Sequence, residues 1–127
     1  MLAAKMEAHG THAWLINTGW TAGSYGTGHR IKLRHTRAIV DAIHSGELAG
    51  AAYEAMPLFG LQVPAAVSGV PPELLTPSNT WPDRDGYDAT LRHLAELFAA
   101  NFGKYADGGG FVSADRAAAI LAAGPVL

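Results

Sequence analysis

The chain of 127 residues contains no cysteine, so it can form neither a disulfide nor a thiolate metal site. Charged residues make up 16% of the composition, which is low for a free-standing surface. A formal net charge of -2 argues against a general nucleic-acid binder, which is usually basic. No apolar run approaches the roughly 20 residues that span a bilayer, and the first residues lack the apolar segment of a secretory signal. We therefore expect a cytoplasmic protein with no nucleic-acid partner and no membrane partner.

The histidines and carboxylates lack the spacing of a metal site or of a catalytic set. His9 and His12 stand on either side of a glycine, and no histidine has the helical partners of a zinc helix. Asp83, Asp85 and Asp88 lie at the start of a predicted helix, where carboxylates interact favourably with the helix dipole. We therefore assign no catalytic residue and no metal ligand to this chain.

The chain does have a large hydrophobic fraction, 49% of its residues, and its length fits one domain. Much apolar and little charged surface indicates a piece that packs against more protein, although an alanine-rich surface would give the same composition. Residues 1–9 predict a helix of about two turns, which is too short to persist without packing. It has the pattern of the tail of a longer helix. We therefore predict one partial domain over residues 1–127.

The hydrophobic pattern predicts a mixed α/β fold with strands before the longest helix. One strand is expected at residues 13–17 and another at 29–33. Thr36 is expected to cap or begin the next helix, which Gly46 ends. Apolar residues between 52 and 67 are interrupted by prolines, which favours edge or bulged strand pieces.

The clearest periodicity lies in the last third of the chain. Apolar side chains at steps of three and four predict a long amphipathic helix from about residue 85 to 105, and they are Tyr87, Leu91, Leu94, Phe98, Phe102 and Tyr105. The glycine-rich residues 107–110 are expected to end it. Ser113 then caps a short C-terminal helix that stops at Gly124.

Glycine is dense between residues 19 and 28, and positive charge follows it. Glycine lets the backbone approach a ligand closely, and cations beside it suit an anion such as a nucleotide; they are Arg30, Lys32, Arg34 and Arg37. Residues 23–28 have the glycine spacing of a phosphate-binding P-loop. His29 and Arg30, however, stand where that motif has a lysine and a hydroxyl residue. We therefore reject this loop as a phosphate cradle.

Several segments, taken in order, resemble the C-terminal part of ATP-dependent phosphoenolpyruvate carboxykinase. They are Trp14-Leu-Ile-Asn-Thr-Gly-Trp20, Tyr25-Gly-Thr-Gly28, Arg30-Ile31, Thr36-Arg-Ala-Ile-Val-Asp-Ala-Ile43, Pro57-Leu-Phe-Gly-Leu-Gln-Val-Pro64, Gly69-Val-Pro71 and Leu75-Thr-Pro-Ser-Asn-Thr-Trp81. The similarity runs from the first residue to about Tyr105, and the chains of that family are several times longer. The fold it implies is the C-terminal part of a nucleotide-binding lobe.

The resemblance implies a reaction and a nucleotide site. Oxaloacetate and ATP would give phosphoenolpyruvate, carbon dioxide and ADP, a gluconeogenic step that uses Mg²⁺ with the nucleotide and a second ion, usually Mn²⁺. An Arg-Ile pair and a nearby Thr line the adenine pocket in this family, and the matching positions are Arg30, Ile31 and Thr36. The family's phosphate loop, metal ligands and oxaloacetate-binding residues have no match here. We expect an upstream segment to supply them, and we expect this chain alone to be inactive.

Two other interpretations remain open. From spacing alone, Arg30 and Ile31 are the exposed and buried residues of a strand, and Thr36 is a helix cap. The chain would then be a non-catalytic binding or interaction module derived from the same fold piece, with its apolar faces as the partner surface. A stand-alone nucleotide binder is the third interpretation.

Overall fold

Short strands and five helices follow one another in the computed structural model of the chain, which describes residues 2–106 and 112–127. The helices are α1 (Leu2–His9), α2 (Leu33–His44), α3 (Pro72–Leu75), α4 (Arg84–Ala106) and α5 (Ala114–Ala122). The strands are β1 (Trp20–Thr21), β2 (His29–Arg30), β3 (Tyr53–Ala55) and β4 (Gln62–Pro64), and two 3-10 turns lie at Leu48–Gly50 and Pro77–Asn79. This mixture confirms the predicted mixed α/β class. Among the described residues, no helix is both long enough and apolar enough to cross a bilayer.

The strands form two separate antiparallel hairpins, β1 with β2 and β3 with β4. Trp20 pairs with Arg30 in the first hairpin, and Glu54 pairs with Val63 in the second. A sheet of two strands consists only of edges, and edges tolerate proline. Pro64 accordingly sits at the end of β4, as the sequence predicted for this region.

The main buried cluster forms where α2 meets the segments that follow it. Its buried members lie on α2, on the 3-10 turn after it and on the segment before α3, and they are Ala42, Leu48, Val67 and Val70. Ile39 and Ile43 of α2 pack against this cluster. Gly46 follows the helix with a φ of +82°, a conformation that glycine adopts without steric cost, so the expected end of α2 is confirmed.

The prediction of a strand at residues 13–17 is wrong. This stretch has no regular secondary structure in the described residues, and Leu15 is 86% exposed. Asn17 turns the chain locally, because its Oδ1 accepts a hydrogen bond from the Gly19 amide at 3.3 Å. Alternation of apolar residues indicates a strand only where a neighbouring strand is present to pair with it.

The boundary between β2 and α2 also differs from the prediction. The strand stops at Arg30, Lys32 is the N-cap, and the helix begins at Leu33 rather than at Thr36. Thr36 is therefore inside the helix and does not cap it. The early start places His35 and Ala42, which are seven positions apart, on one face, and both are buried.

The long helix α4 confirms the periodicity, with ends one residue beyond the predicted ones. Asp83 caps it, because its Oδ1 accepts a hydrogen bond from the Asp85 amide at 3.1 Å. The glycine-rich residues 107–110, which were expected to end the helix, lie outside the described residues. The first half of the apolar stripe is the better covered, since Tyr87 and Leu91 are buried whereas Phe98 is 57% exposed.

Candidate functional site

A cleft of about 470 Å³ opens between the segment before β1, the end of β2 and the first turns of α2. Its size falls in the range typical of small-molecule sites. The cleft combines apolar side chains with an amide, two hydroxyls and a guanidinium, and its lining is Ile16, Asn17, Thr18, Gly19, Arg30, Ile31, Leu33 and Thr36. The three residues singled out from the sequence, Arg30, Ile31 and Thr36, thus line one cleft.

The first hairpin holds Arg30 and Ile31 at the edge of the cleft. Arg30 pairs with Trp20 across the strands, and the Ile31 amide donates to the Gly19 carbonyl at 3.0 Å. The turn between the strands needs glycine at position 28. A Cβ there would stand 2.6 Å from the Gly23 carbonyl oxygen, which is closer than real contacts allow.

A pair of threonines anchors the other face of the hairpin. Thr21 is buried, and its hydroxyl lies 2.7 Å from the Thr80 hydroxyl. The single hydroxyl hydrogen of Thr80 goes to the Pro77 carbonyl at 2.8 Å, so Thr21 is the donor in this pair. The Ala22 amide also donates to Thr80, at 3.1 Å. These contacts fix the hairpin against the segment before α4.

The hairpin turn does not have the architecture of a P-loop. A P-loop connects a strand to a helix whose N-terminal amides face the phosphates. Residues 22–28 instead connect two antiparallel strands, and α2 begins only at Leu33. The geometry agrees with the rejection of residues 23–28 as a phosphate cradle.

Thr36 reaches the cleft from inside α2, and its hydroxyl donates a hydrogen bond to the hydroxyl of Thr18 at 2.9 Å. Thr18 and Asn17 were not predicted as site residues. Both belong to the segment that ends at Trp20 and carries the family resemblance. That resemblance was the signal that could have identified them. Their position beside α2 depends on a contact between residues 18 positions apart, and spacing in the sequence does not reveal such a contact.

The cleft lies in the most cationic part of the chain. No aspartate or glutamate occurs between Glu7 and Asp41, whereas four lysine or arginine residues lie between positions 30 and 37. In the described part of the chain, none of these four forms a salt bridge, whereas Arg84 pairs with Asp88 on α4. An uncompensated positive field of this kind attracts anions.

His35 is a buried polar residue that the sequence did not single out. Its Nδ1 lies 3.2 Å from the Gly69 carbonyl oxygen, and its Nε2 accepts a hydrogen bond from Arg34 Nε at 3.2 Å. A carbonyl can only accept, so Nδ1 is the donor in the contact with Gly69. His35 thereby joins α2 to the loop before α3 and supports the helix that carries Thr36.

A second cavity of about 440 Å³ lies between the second hairpin, α3 and the start of α4. Its charged lining residues are Glu54, Glu73, Arg84 and Asp88, so carboxylates outnumber cations. Tyr87 also lines it, and burial, followed by the charge of Asp88, raises the pKa of that phenol above its usual value, while Arg84 opposes the shift. The excess of carboxylates disfavours an anionic ligand in this cavity.

Within residues 2–106 and 112–127, no group of three or more histidine, aspartate or glutamate side chains is close enough to hold a metal ion. The assignment of the metal ligands to a segment outside this chain stays a prediction.

Comparison with known proteins gives one consistent family. Residues 1–73 match the sequence model of phosphoenolpyruvate carboxykinase. Phosphoenolpyruvate carboxykinase (ATP) of Dictyostelium discoideum is 50% identical over the whole chain, and phosphoenolpyruvate carboxykinase (ATP) 2 of Urochloa panicoides is 55% identical over 84% of it. Phosphoenolpyruvate carboxykinase (ATP) 1 of Arabidopsis thaliana is 47% identical over 99% of the chain.

These matches cover 21%, 17% and 19% of the three relatives, so the chain spans about a fifth of their length. The family match extends over more than half of the chain, and the relatives share about half of the aligned residues. The chain belongs to the ATP-dependent phosphoenolpyruvate carboxykinase family.

Proposed function

We propose that this chain is part of an ATP-dependent phosphoenolpyruvate carboxykinase and supplies one wall of its adenine pocket. The observation that carries the proposal is the position of Arg30, Ile31 and Thr36. The family resemblance names these residues, and all three line the same cleft beside the cationic segment. The complete enzyme would convert oxaloacetate and ATP to phosphoenolpyruvate, carbon dioxide and ADP in the cytoplasm, as a gluconeogenic step.

The residues present suit a flat base with a polar edge. Ile16, Ile31 and Leu33 offer apolar surface to the faces of such a ring. Arg30 adds a planar guanidinium that can stack on a base or donate to it. Thr36 offers a hydroxyl oxygen from the side of α2. Their role is to bind and orient the base, and the positive charges on β2 and α2 favour the approach of the triphosphate.

The reacting groups are proposed to belong to the remainder of the carboxykinase. Phosphoryl transfer requires a phosphate cradle and divalent ions positioned together with the substrate. ATP, Mg²⁺ and Mn²⁺ are the cofactors proposed for the complete enzyme, and we assign no metal ligand and no catalytic residue to this chain. Oxaloacetate would bind to the same remainder, which would also cover apolar surface that this chain exposes.

The proposal is tested with two substitutions in a complete carboxykinase that carries this chain in place of the matching segment of the Dictyostelium relative. Arg30→Ala and Thr36→Ala each remove a contact to the base that is similar in the ground state and the transition state. We therefore expect the KM for ATP to rise more than kcat falls. The loss of the Arg30 contact should cost about 1–3 kcal/mol of binding.

Arg37→Ala is the matched control, because Arg37 belongs to the same cationic segment and does not line the cleft. It should change the KM less than Arg30→Ala does. A large fall in kcat with an unchanged KM would place Arg30 and Thr36 at the reacting phosphates and contradict the adenine assignment. Unchanged constants in both variants would make Arg30 and Thr36 scaffold residues, the role they have in the alternative of a non-catalytic interaction module, for which the exposed apolar residues of α4 and α5 are the supporting observation.

A further inference from the structure

The contact between two hydroxyls at the cleft leads to an inference that rests on the proposed adenine site. We propose that Thr18 is a positioning residue, which holds the Thr36 hydroxyl as a hydrogen-bond acceptor toward the cleft. The cleft would then prefer a purine with an amino group on its six-membered ring over a purine with a carbonyl at the same position. Thr18 would thereby determine base selectivity.

The direction of the hydrogen bond between Thr36 and Thr18 determines what the Thr36 hydroxyl can offer a ligand. A threonine hydroxyl has one hydrogen to donate and two lone pairs that accept. Thr36 donates its hydrogen to Thr18 Oγ1 at 2.9 Å, so Thr36 has only lone pairs left for a third partner. Both residues line the cleft, and a ligand there meets Thr36 as an acceptor.

The contact between Thr36 and Thr18 differs from the usual hydrogen bond of a threonine inside a helix. Inside a helix, a threonine hydroxyl commonly donates to the backbone carbonyl one turn earlier. Thr36 instead donates to a residue 18 positions away, in the irregular segment before β1. Thr18 therefore sets the orientation of a hydroxyl that the helix backbone would otherwise control.

The two common purine types differ at the atom concerned. Adenine presents an amino donor where guanine and hypoxanthine present a carbonyl acceptor. An oriented acceptor forms a hydrogen bond with the amino group of adenine. It forms none with the carbonyl of hypoxanthine, because both groups accept. A site built for one hydrogen bond discriminates strongly against an analogue that cannot make it. Hypoxanthine is the cleaner probe of the two, because it has no additional amino group.

Removal of Thr18 should weaken this discrimination. In Thr18→Val, the Thr36 hydroxyl either turns its hydrogen toward the cleft, where it can donate to a carbonyl, or turns back to the helix and withdraws its lone pairs. Both changes lower the preference for ATP over inosine triphosphate. We expect the ratio of the two kcat/KM values to fall about three- to tenfold, mainly through a higher KM for ATP.

The test uses the hybrid carboxykinase described above, with kcat and KM measured for ATP and for inosine triphosphate. Thr18→Ser keeps the acceptor and should retain the parent ratio, and Thr18→Ala should reproduce Thr18→Val. In a Thr36→Val background, Thr18→Val should have no further effect on the ratio. An unchanged ratio in Thr18→Val, or an equal loss for both nucleotides, would overturn the positioning role and leave Thr18 as a structural contact.

A second measurement uses the 127-residue chain itself and decides the question if the hybrid does not assemble. In an NMR titration with AMP and with inosine monophosphate, the Thr36 methyl signal should respond more strongly to AMP. This difference should disappear in Thr18→Val and persist in Thr18→Ser. Equal responses to both nucleotides in the parent chain would contradict the inference, whereas the KM of Arg30→Ala for ATP in the complete enzyme tests the adenine site separately.

Discussion

Single buried polar side chains decide how the site is held in this protein. His35 bridges α2 and the loop before α3, and Thr21 bridges the first hairpin and Thr80. In the described residues, no deeply buried side-chain nitrogen or oxygen lacks a hydrogen-bond partner. Because an unpaired buried polar group costs about 1–3 kcal/mol, these partners favour one arrangement of α2 against the loop before α3 and of the first hairpin against the segment before α4. That arrangement determines the geometry of the cleft.

Tyr87 makes folding stability depend on pH in the alkaline range. Burial, followed by the charge of Asp88, raises the pKa of this phenol above its ordinary value of 10.0. The folded state therefore favours the neutral phenol, and this contribution is fully present below the ordinary pKa and is lost as the pH rises above it. We expect Tyr87→Phe to flatten the decline of the free energy of unfolding above about pH 10, measured by urea unfolding at a series of pH values.

Tyr25→Phe is the control for this prediction, because Tyr25 is 86% exposed. It should leave the alkaline decline unchanged. Parallel pH profiles for the parent and for Tyr87→Phe would show that the titration of Tyr87 is not coupled to folding.

At the scale of elements, the sequence predicted best where one local pattern was long. The apolar stripe of α4 repeats over six positions and gave both ends to within one residue. The stretch 13–17 had only a short alternation, and no described strand lies beside it. The start of α2 was misplaced because residues 33–35 suit a strand or a helix equally well, and the burial of His35 decides between them.

The N-cap of α4 gives a prediction at this scale. Asp83 accepts the Asp85 amide, and Gly86 leaves room for its carboxylate, since a Cβ at Gly86 would stand 2.6 Å from Asp83 Oδ2. We expect Asp83→Ala to lower the free energy of unfolding by about 1 kcal/mol. Ser113 is the comparison, because it is the N-cap of α5 and makes no side-chain capping bond. Thermal or urea unfolding should show a smaller change for Ser113→Ala, and equal changes would contradict the role of Asp83.

For the whole molecule, the sequence named three of the residues that line the cleft but not how they meet. The family resemblance named Arg30, Ile31 and Thr36, and the structure adds the cleft that they share and the contact to Thr18. Spacing alone would have made Arg30 and Ile31 an ordinary strand pair. Contacts between distant residues depend on how helices and hairpins pack, and a local pattern does not contain that information.

The distribution of apolar surface over the whole molecule gives the last prediction. No large side chain in the described residues is completely buried, and large apolar side chains on α4 and α5 face solvent; they include Leu94, Leu97, Phe98, Ile120 and Leu121. Exposed apolar side chains promote association and bind hydrophobic dyes where they form a continuous surface. We expect the isolated chain to self-associate at micromolar concentration in sedimentation experiments and to enhance the fluorescence of a hydrophobic dye.

Leu97→Glu and Phe98→Glu should reduce both effects, because each replaces a half-exposed apolar side chain of α4 with a charge; Phe98→Glu also removes the edge-to-face contact with Phe59. Arg92→Glu is the matched control, since Arg92 is an exposed polar residue of the same helix and its replacement removes no apolar area. If the parent chain sediments as a monomer and binds no dye, its exposed apolar side chains are too scattered to form an association surface. Equal reduction by all three variants would attribute the association to charge instead of apolar area.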